Sequence, residues 1–257
     1  MYLKTQRSPF TVIEEKDIHE IMESFKCDDR FINAYMRYKH CPNARIIMGE
    51  DYSIIEDEGW VIPTLMSEDN LVKALKKTMK ETKLESLKFG GVPFEQYEAL
   101  KPHMDISWDE ICYLYVYRGN PFEDTYENRN ETNIRPLTLE DAELVYKYYS
   151  YKEHDDIDYV KTIIENMPTR GIWIDGELVS WVVQRDEGSI GIMYTLKEHR
   201  HKGYAIDLTK SLINEIIKRG DIPFVHIVVG NEASCKLAEK VGFKRSSTVV
   251  WFEGRFK

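Results

Sequence analysis

The chain has 257 residues, of which 42% are hydrophobic and 31% are charged. This length predicts one or two domains of ordinary size, and the composition excludes a disordered or fibrous chain. Asp and Glu outnumber Lys and Arg by 44 to 35, which gives a formal net charge of −9. Proteins that bind nucleic acid are usually basic, so we expect no nucleic-acid partner.

The N-terminal segment and the cysteines restrict the class of protein further. The first ten residues, MYLKTQRSPF, have no apolar signal core, and no run of the chain approaches the ~18 apolar residues of a membrane span. Cys27, Cys41, Cys112 and Cys235 form no C-x-x-C pair and lack zinc-ligand spacing with histidines. We therefore expect a cytoplasmic protein with reduced, buried thiols, no metal and no membrane partner.

In the first half of the chain, helix and strand patterns alternate, which favours an α/β layer. The pair Gly90-Gly91 predicts a turn, and no group of residues suggests a chemical site. The predicted helices are Glu14–Phe25, Asp29–Tyr38, a segment capped by Ser67, and Phe94–Leu100; the predicted strands are Ala44–Met48, Gly59–Ile62, Ser86–Phe89 and Ile111–Tyr117.

A linker is predicted for Gly119–Asn133, which reads GNPFEDTYENRNETN. The segment is polar and charged, and it offers nothing that could anchor a core. We therefore predict an N-terminal α/β domain over residues 1–128 and a second domain over residues 133–257.

The second half has clearer local signals. A strand is predicted at Ile134–Leu137, followed by a helix that Thr138 caps. Asp175-Gly176 is a strong hairpin signal inside a predicted meander of three strands. The remaining predicted elements are a long helix ending at Gly220, the strand Pro223–Val229, the helix Asn231–Val241 ended by Gly242, and the strand Lys244–Phe252.

The long helix opens with a basic turn, Arg200-His201-Lys202-Gly203-Tyr204-Ala205. Free backbone N–H groups and the positive end of the helix dipole favour an anion at such a position, and Gly203 permits close approach of the backbone. The turn suits a pyrophosphate, although it is neither a P-loop nor a G-x-G-x-x-G fingerprint. Taken alone, it is equally typical of a basic turn at the start of a surface helix.

The whole series of elements resembles the GNAT superfamily of acyl-CoA N-acyltransferases. The series is strand, helix, meander, R-x-x-G-x-A, long helix, strand, and then Asn231-x-x-Ser234 opening a helix, and it covers Ile134–Phe252. The stretch GELVSWVVQRDEGSIGIMYTLKEHRHKGYA is most similar to the glycine N-acyltransferase branch, as is the position of His226. The resemblance implies an α/β (α+β) fold with a mixed, mostly antiparallel sheet in the C-terminal half. It leaves open whether the smaller first unit is a degenerate copy of that fold.

The resemblance also implies a binding site for an acyl-CoA co-substrate, by default acetyl-CoA. The strand before the basic turn would bind the pantetheine arm and the thioester carbonyl, the turn would bind the diphosphate, and the Asn231 helix would bind pantetheine. A simple helix cap is the alternative for Asn231. The residues implied are Met193, Tyr194, Thr195, Arg200, His201, Lys202, Gly203, Tyr204, Ala205, Ile206, Asn231 and Ser234.

Two departures from the family pattern concern proton transfer. Ala238 stands where many members carry a tyrosine acid, and Ser189 where many carry a glutamate base. His226 is a candidate base, because an unperturbed imidazole titrates near pH ~6.5, and Tyr194 is a weaker candidate. A histidine satisfied within its strand, a base acting through water and an amine that arrives neutral remain open. Glu187, which is expected at an exposed turn, is another weaker candidate base, and Cys235 is expected to be a packing residue.

The sequence therefore predicts an acyl-CoA-dependent N-acyltransferase that acts on the amine of a small molecule or amino acid by direct attack in a ternary complex. The missing acid and base motivate an alternative, a non-catalytic CoA-binding or sensor module. A protein N-acetyltransferase is the other alternative, and a homodimer is left open.

Overall fold

The computed structural model describes residues 15–48, 52–64, 67–123, 133–153 and 155–257. Helices and strands alternate through both halves, so the chain has the expected mixed α/β fold. The helices are α1 (Glu15–Cys27), α2 (Ile32–His40), α3 (Glu68–Thr82), α4 (Phe94–Leu100), α5 (Ala142–Lys147), α6 (Ile157–Asn166), α7 (Tyr204–Lys218) and α8 (Glu232–Val241). The strands are β1 (Arg45–Met48), β2 (Ser53–Asp57), β3 (Trp60–Pro63), β4 (Leu87–Pro93), β5 (Met104–Val116), β6 (Asn133–Arg135), β7 (Thr169–Ile174), β8 (Glu177–Gln184), β9 (Ile190–Thr195), β10 (Phe224–Val228) and β11 (Lys244–Phe256).

The chain divides into two compact units that do not follow the chain order. The first unit comprises the described residues of Met1–Leu114 together with His226–Gly230 and Arg245–Lys257, and the second comprises Tyr115–Val225 and Asn231–Lys244. The junction predicted between residues 128 and 133 falls in a segment outside the described residues, so the two-domain boundary stays a prediction. The compact units nevertheless group the last two strands of the chain with its first half.

The first unit is built on a seven-stranded mixed sheet with the order β1-β2-β3-β4-β11-β5-β10. Strand β4 pairs antiparallel with β11 and parallel with β3. On the apolar side, Phe89 of β4 stacks on Phe252 of β11 with ring centroids 4.1 Å apart, and Tyr97 packs edge-on against Phe252. The C-terminal strand therefore contributes directly to the core of the N-terminal half.

The second unit contains a four-stranded antiparallel sheet with the order β6-β7-β8-β9. Asp175 and Gly176 have φ values of +52° and +85°, as the predicted two-residue hairpin between β7 and β8 requires. The fully buried Trp181 of β8 packs in a core with Val160 and Ile163 of α6. The predicted cap at Thr138 forms a capping box with Asp141.

The order of elements occurs twice along the chain. Two helices, three strands, a helix, a strand, a helix and a strand run from α1 to β5, and the same succession runs from α5 to β11 if the short β6 is set aside. This repetition is what a degenerate copy of one fold in the first half would produce.

Three local expectations are wrong. Gly90-Gly91 is not a turn but lies inside β4, where the register with β11 shifts and Gly91 has a φ of +62°. Strand β11 holds the segment in place there, so pairing overrides the turn signal of two glycines. Ser67 precedes α3 but makes no side-chain capping bond. Cys27 is exposed rather than buried, because it ends α1 at the surface.

Candidate functional site

Strand β9 has one open edge within the sheet of the second unit. It is the last strand of that sheet, and its neighbour there is β8. Leu196 donates its backbone N–H to the carbonyl oxygen of Val179 at 2.9 Å. The direction of the backbone groups alternates along an antiparallel strand, so the N–H and C=O of Thr195 point toward the open edge. Such an edge can accept an extended ligand through main-chain hydrogen bonds.

A β-bulge interrupts β9 next to this edge. Trp181 lies opposite Tyr194 and Val183 lies opposite Gly191, so β9 has one more residue than β8 between these pairs. Within the bulge, Ile192 has a φ of +47°, which is strained for a β-branched residue. Strain of this kind costs on the order of 1–3 kcal/mol and is concentrated at ligand and active sites, where the surrounding structure maintains it.

The head of α7 presents a row of backbone donors. His201 and Gly203 have φ values of +62° and +88°, and a Cβ on Gly203 would meet nothing within 4 Å. From His201 to Ala205, the backbone N–H groups donate to no acceptor within the described residues, whereas those of Ile206 and Asp207 donate to the Gly203 carbonyl at 3.0 and 3.2 Å. Five consecutive N–H groups are therefore available to an anion, and Ile206, expected in the same set, is not among them.

Arg200 lies over the end of β9. Its Nε donates to the carbonyl oxygen of Thr195 at 3.1 Å, and its guanidinium lies 5.4 Å from the ring centroid of Tyr194. The side chain is exposed, as are those of His201 and Lys202. Arg200 therefore occupies the Thr195 carbonyl at the open edge of β9. The N–H of the same residue still points outward.

The Tyr194 ring belongs to an aromatic cluster. It stacks on Tyr148 with centroids 4.3 Å apart and lies 5.5 Å from Trp181. On the other face of β9, the Thr195 hydroxyl shares a hydrogen bond of 2.7 Å with Ser180. Met193, which precedes Tyr194 in β9, is half-buried. Met193, Tyr194 and Thr195, which are predicted to bind cofactor, thus lie at the C-terminal end of β9, along its open edge.

Asn231 is the N-cap of α8. Its Oδ1 accepts the backbone N–H of Ser234 at 3.2 Å, which is the capping role considered as an alternative. Its Nδ2 donates to no acceptor in the part of the chain that the structure describes, and the residue is exposed. One side chain can therefore cap the helix and still donate a hydrogen bond to a ligand.

Comparisons with known proteins agree with this architecture. The family model described as "FR47-like protein" matches residues 171–252, the span from β7 through most of β11. The human protein "Glycine N-acyltransferase-like protein 2" is 25% identical over 123 residues, which are 46% of this chain and 42% of that protein. The match thus spans less than half the length of this relative.

Solved structures show the same fold over nearly the whole chain. An X-ray structure of a Drosophila protein has a TM-score of 0.72 at 16% identity and covers 95% of this chain and 97% of its own. A GCN5-related N-acetyltransferase from Kribbella flavida has a TM-score of 0.58 at 11% identity, with 88% and 95% covered. The chain thus has the fold of these GNAT structures, and its second half is similar to the FR47-like model and to the human protein.

The candidate base His226 belongs to the first unit and is held there. The indole Nε1–H of Trp251 donates to Nδ1 of His226 at 3.2 Å. Indole is a donor only, so Nδ1 must supply a lone pair, and the proton of the neutral imidazole resides on Nε2. A Cβ on Gly91 would lie 2.8 Å from Cε1 of His226, so the ring also packs closely on β4. The structure therefore shows His226 engaged at Nδ1 within its sheet, which favours the structural role that was considered as an alternative.

The expectation for Glu187 is wrong. It is only 2% exposed, because the turn between β8 and β9 folds the side chain inward. Its carboxylate accepts a hydrogen bond from Ser189 and lies 3.8 Å from Nε of Arg185. Sequence reasoning missed this buried network of the second unit, which also includes Tyr149 and Tyr159. The only available signal was the number of tyrosines between residues 146 and 159.

The described residues offer neither a metal site nor a membrane-spanning helix. Within them, no group of three or more His, Cys, Asp or Glu side chains could hold a metal ion. No helix in the described segments combines the length and the apolar character needed to cross a membrane.

Proposed function

We propose that this chain is an acyl-CoA-dependent N-acyltransferase. The observation that carries the proposal is the row of five N–H groups from His201 to Ala205, which are available at the head of α7. A CoA diphosphate has the charge and the acceptor oxygens that suit such a row. Arg200, His201 and Lys202 add positive charge. The pantetheine arm would then follow the open edge of β9 at Met193, Tyr194 and Thr195.

Asn231 and Ser234 would complete the cofactor site. With Oδ1 engaged in the cap, Nδ2 of Asn231 is the group suited to donate to a pantetheine carbonyl. Ser234 provides a hydroxyl in the same first turn of α8. Acetyl-CoA is the donor that we propose. The match to a glycine N-acyltransferase-like protein supports testing bulkier acyl groups as well.

The reaction would proceed by direct attack in a ternary complex. The lone pair of a neutral amine attacks the thioester carbonyl carbon, and an N–C bond forms as the carbonyl oxygen becomes an oxyanion. Collapse of this intermediate breaks the C–S bond, the CoA thiolate departs, and one proton leaves the nitrogen while the thiolate takes one up. The outward N–H of Thr195 is suited to stabilise the oxyanion, and a donor of this kind contributes about 3 kcal/mol.

The proton acceptor for the amine need not be a side chain. His226, Tyr194 and Glu187 were the candidates, and Glu187 is buried against Arg185. The bond from Trp251 uses the free lone pair of neutral His226, and the Tyr194 ring is stacked in an aromatic cluster. An amine that arrives neutral, or that loses its proton through water, needs none of these side chains.

The acceptor that we propose is the amine of a small molecule or amino acid. The name of the human relative favours an amino acid, and the net charge of −9 favours approach of a cationic compound. We propose a cytoplasmic location, as the sequence predicts. Whether the protein forms a homodimer is left open. A protein amine is the competing acceptor, and mass spectrometry of peptides incubated with acetyl-CoA would separate the two.

A non-catalytic CoA-binding module is the second candidate. Ala238 and Ser189 provide neither the acid nor the base of many GNAT enzymes, and His226 is engaged by Trp251. Thiol release from acetyl-CoA with a panel of amines distinguishes the candidates. Turnover with any amine supports the enzyme, whereas calorimetric binding of CoA without turnover across the panel supports the module.

The variant Gly203→Asp tests the diphosphate site. It places a carboxylate where the phosphates would lie, so we expect the affinity for CoA to fall about 100-fold or more. Calorimetric titration with CoA measures the effect.

Gly176→Asp is a matched control, because Gly176 also has a positive φ and open space around its Cβ position. It should bind CoA like the unmodified protein. Unchanged affinity in Gly203→Asp would exclude the head of α7 as the diphosphate site.

A further inference from the structure

The stem of Arg185 lies directly against β9. A Cβ built on Gly191 would come within 2.9 Å of Cδ and 3.2 Å of Cγ of Arg185. Gly191 is followed by Ile192, the residue with the strained positive φ in the bulge. The φ of Gly191 itself is not positive, so its glycine identity is explained by the arginine stem and not by its backbone conformation.

The head of Arg185 is fixed by groups from three segments of the second unit. Its Nε lies 3.3 Å from the hydroxyl of Tyr159 on α6, and its Nη2 lies 3.2 Å from the hydroxyl of Tyr149, which follows α5. Carboxylate oxygens of Asp155 and Glu187 lie 3.7 and 3.8 Å from the guanidinium. The flat guanidinium suits several simultaneous partners, so the head cannot shift without breaking more than one contact.

The anchoring groups are themselves held. Tyr149 donates to Asp155, Ser189 donates to Glu187, and Tyr159 donates to Asp186 at 2.9 Å. Burial raises the pKa of Tyr149 and that of Tyr159, so both hydroxyls stay protonated at neutral pH. The network joins α5, α6 and the turn between β8 and β9 into one support.

We propose that Arg185 is a positioning residue that maintains the β9 bulge. The stem cannot retreat because the head is fixed, and it therefore holds Gly191 and the adjoining Ile192 in place. The outward backbone groups of β9 beyond the bulge are then aligned before any ligand arrives. The identity of that ligand rests on the proposed function, whereas the support of the bulge by Arg185 does not.

The first test is Gly191→Ala. The added Cβ collides with the anchored stem, so either the strand or the network must move. We expect the strong intraresidue HN–Hα NOE of Ile192, which marks a positive φ, to weaken. We also expect kcat to fall about 10- to 100-fold, because a displacement of about 1 Å can have that effect, while the Kd for CoA changes less than about 3-fold. Gly176→Ala is a steric control, because its Cβ would meet nothing within 4 Å. Its positive φ strains only the hairpin turn between β7 and β8, so we expect the NOE and both constants to stay unchanged.

A second variant covers the case in which Gly191→Ala does not fold. Tyr149→Phe combined with Tyr159→Phe removes both hydroxyl anchors and retains the charge and stem of Arg185. We expect the same loss of the Ile192 NOE and the same selective fall in kcat. Arg185→Met is less suitable, because it leaves the buried Glu187 without its ion pair.

The outcomes separate this inference from the proposed function. An unchanged Ile192 NOE in both the Gly191 variant and the double tyrosine variant would overturn the role of Arg185, whatever the activity. Absence of acyl transfer by the unmodified protein, with the NOE lost in the variants, would overturn the enzyme and leave the support of the bulge intact.

Discussion

At the scale of single residues, one hydrogen bond changes how His226 is interpreted. An imidazole five residues before Asn231 suggested a general base. Trp251, 25 residues further along the chain, donates to its Nδ1, and neutral histidine then keeps its only proton on Nε2. Protonation of Nδ1 would put two N–H donors face to face. The same side chain is therefore better explained as a bridge between β10 and β11 than as a proton acceptor.

The variant His226→Gln tests this interpretation. Its amide oxygen can still accept the Trp251 N–H, but it cannot take up a proton at neutral pH. Because we expect the imidazole to take no part in proton transfer, the dependence of kcat/KM on pH should match that of the unmodified enzyme. If the pH profile of kcat/KM has a limb near neutrality in the unmodified protein and that limb disappears in His226→Gln, His226 is the base. Trp251→Phe, which frees Nδ1, is the companion variant: a new limb there would show that the indole prevents proton transfer.

At the scale of elements, α3 and α7 occupy the same place in the two repeats, but only α7 is suited to an anion. The first turn of α3 carries Glu68 and Asp69, which repel phosphate and replace the glycine and the basic side chains of the α7 turn. Carbonyls at the end of β3 are also engaged, because Nε2 of Gln96 donates to Thr64 at 2.6 Å and to Pro63 at 3.3 Å. In the first repeat, the backbone carbonyls of Pro63 and Thr64 are thus already hydrogen-bonded within the chain.

We therefore expect one CoA per chain. Calorimetric titration should give a stoichiometry near one, and the Gly203→Asp variant should bind that one equivalent about 100-fold or more weakly. A second equivalent of CoA bound by the unmodified protein would show that the first repeat also binds the cofactor.

At the scale of the whole molecule, the last strand ties the C-terminus to the N-terminal half. Strand β11 follows α8 in the chain but pairs with β4, and its Phe252 stacks on Phe89. Near its end, Gly254 passes close to β5: a Cβ there would lie 3.1 Å from the backbone carbonyl oxygen of Asp105. A backbone atom paired within a sheet yields little, so a side chain at this position would force a shift of the neighbouring strand.

Gly254→Ala should therefore destabilise the protein by about 1–3 kcal/mol, as overpacking usually does. Urea unfolding measures the change. Ser246→Ala, at an exposed position of the same strand, should stay within about 0.5 kcal/mol of the unmodified protein. Equal stability of the two variants would mean that β11 and β5 can separate without cost at this point.

Local signals predicted much of the second half because the contacts that define it are local. The Asp175-Gly176 hairpin, the Thr138–Asp141 capping box and the glycine ends of α7 and α8 depend on residues a few positions apart. Strand β2 and helix α6 were missed, and β5 and β11 run several residues beyond the predicted strands. Strand β2 was missed because the polar residues Glu56 and Asp57 interrupt its apolar pattern. Both are buried because Arg45 and Arg37 neutralise them.

The sequence by itself determined the succession of elements in the second half and the basic, glycine-containing turn before α7, since the head of a helix needs only its own residues. Tertiary structure alone decided the bulge at Ile192, the burial of Glu187, the engagement of His226 and the pairing of β11 with β4. Each of these depends on a partner outside the local segment or on how the sheet folds over it. Short-range patterns carry no information about such partners.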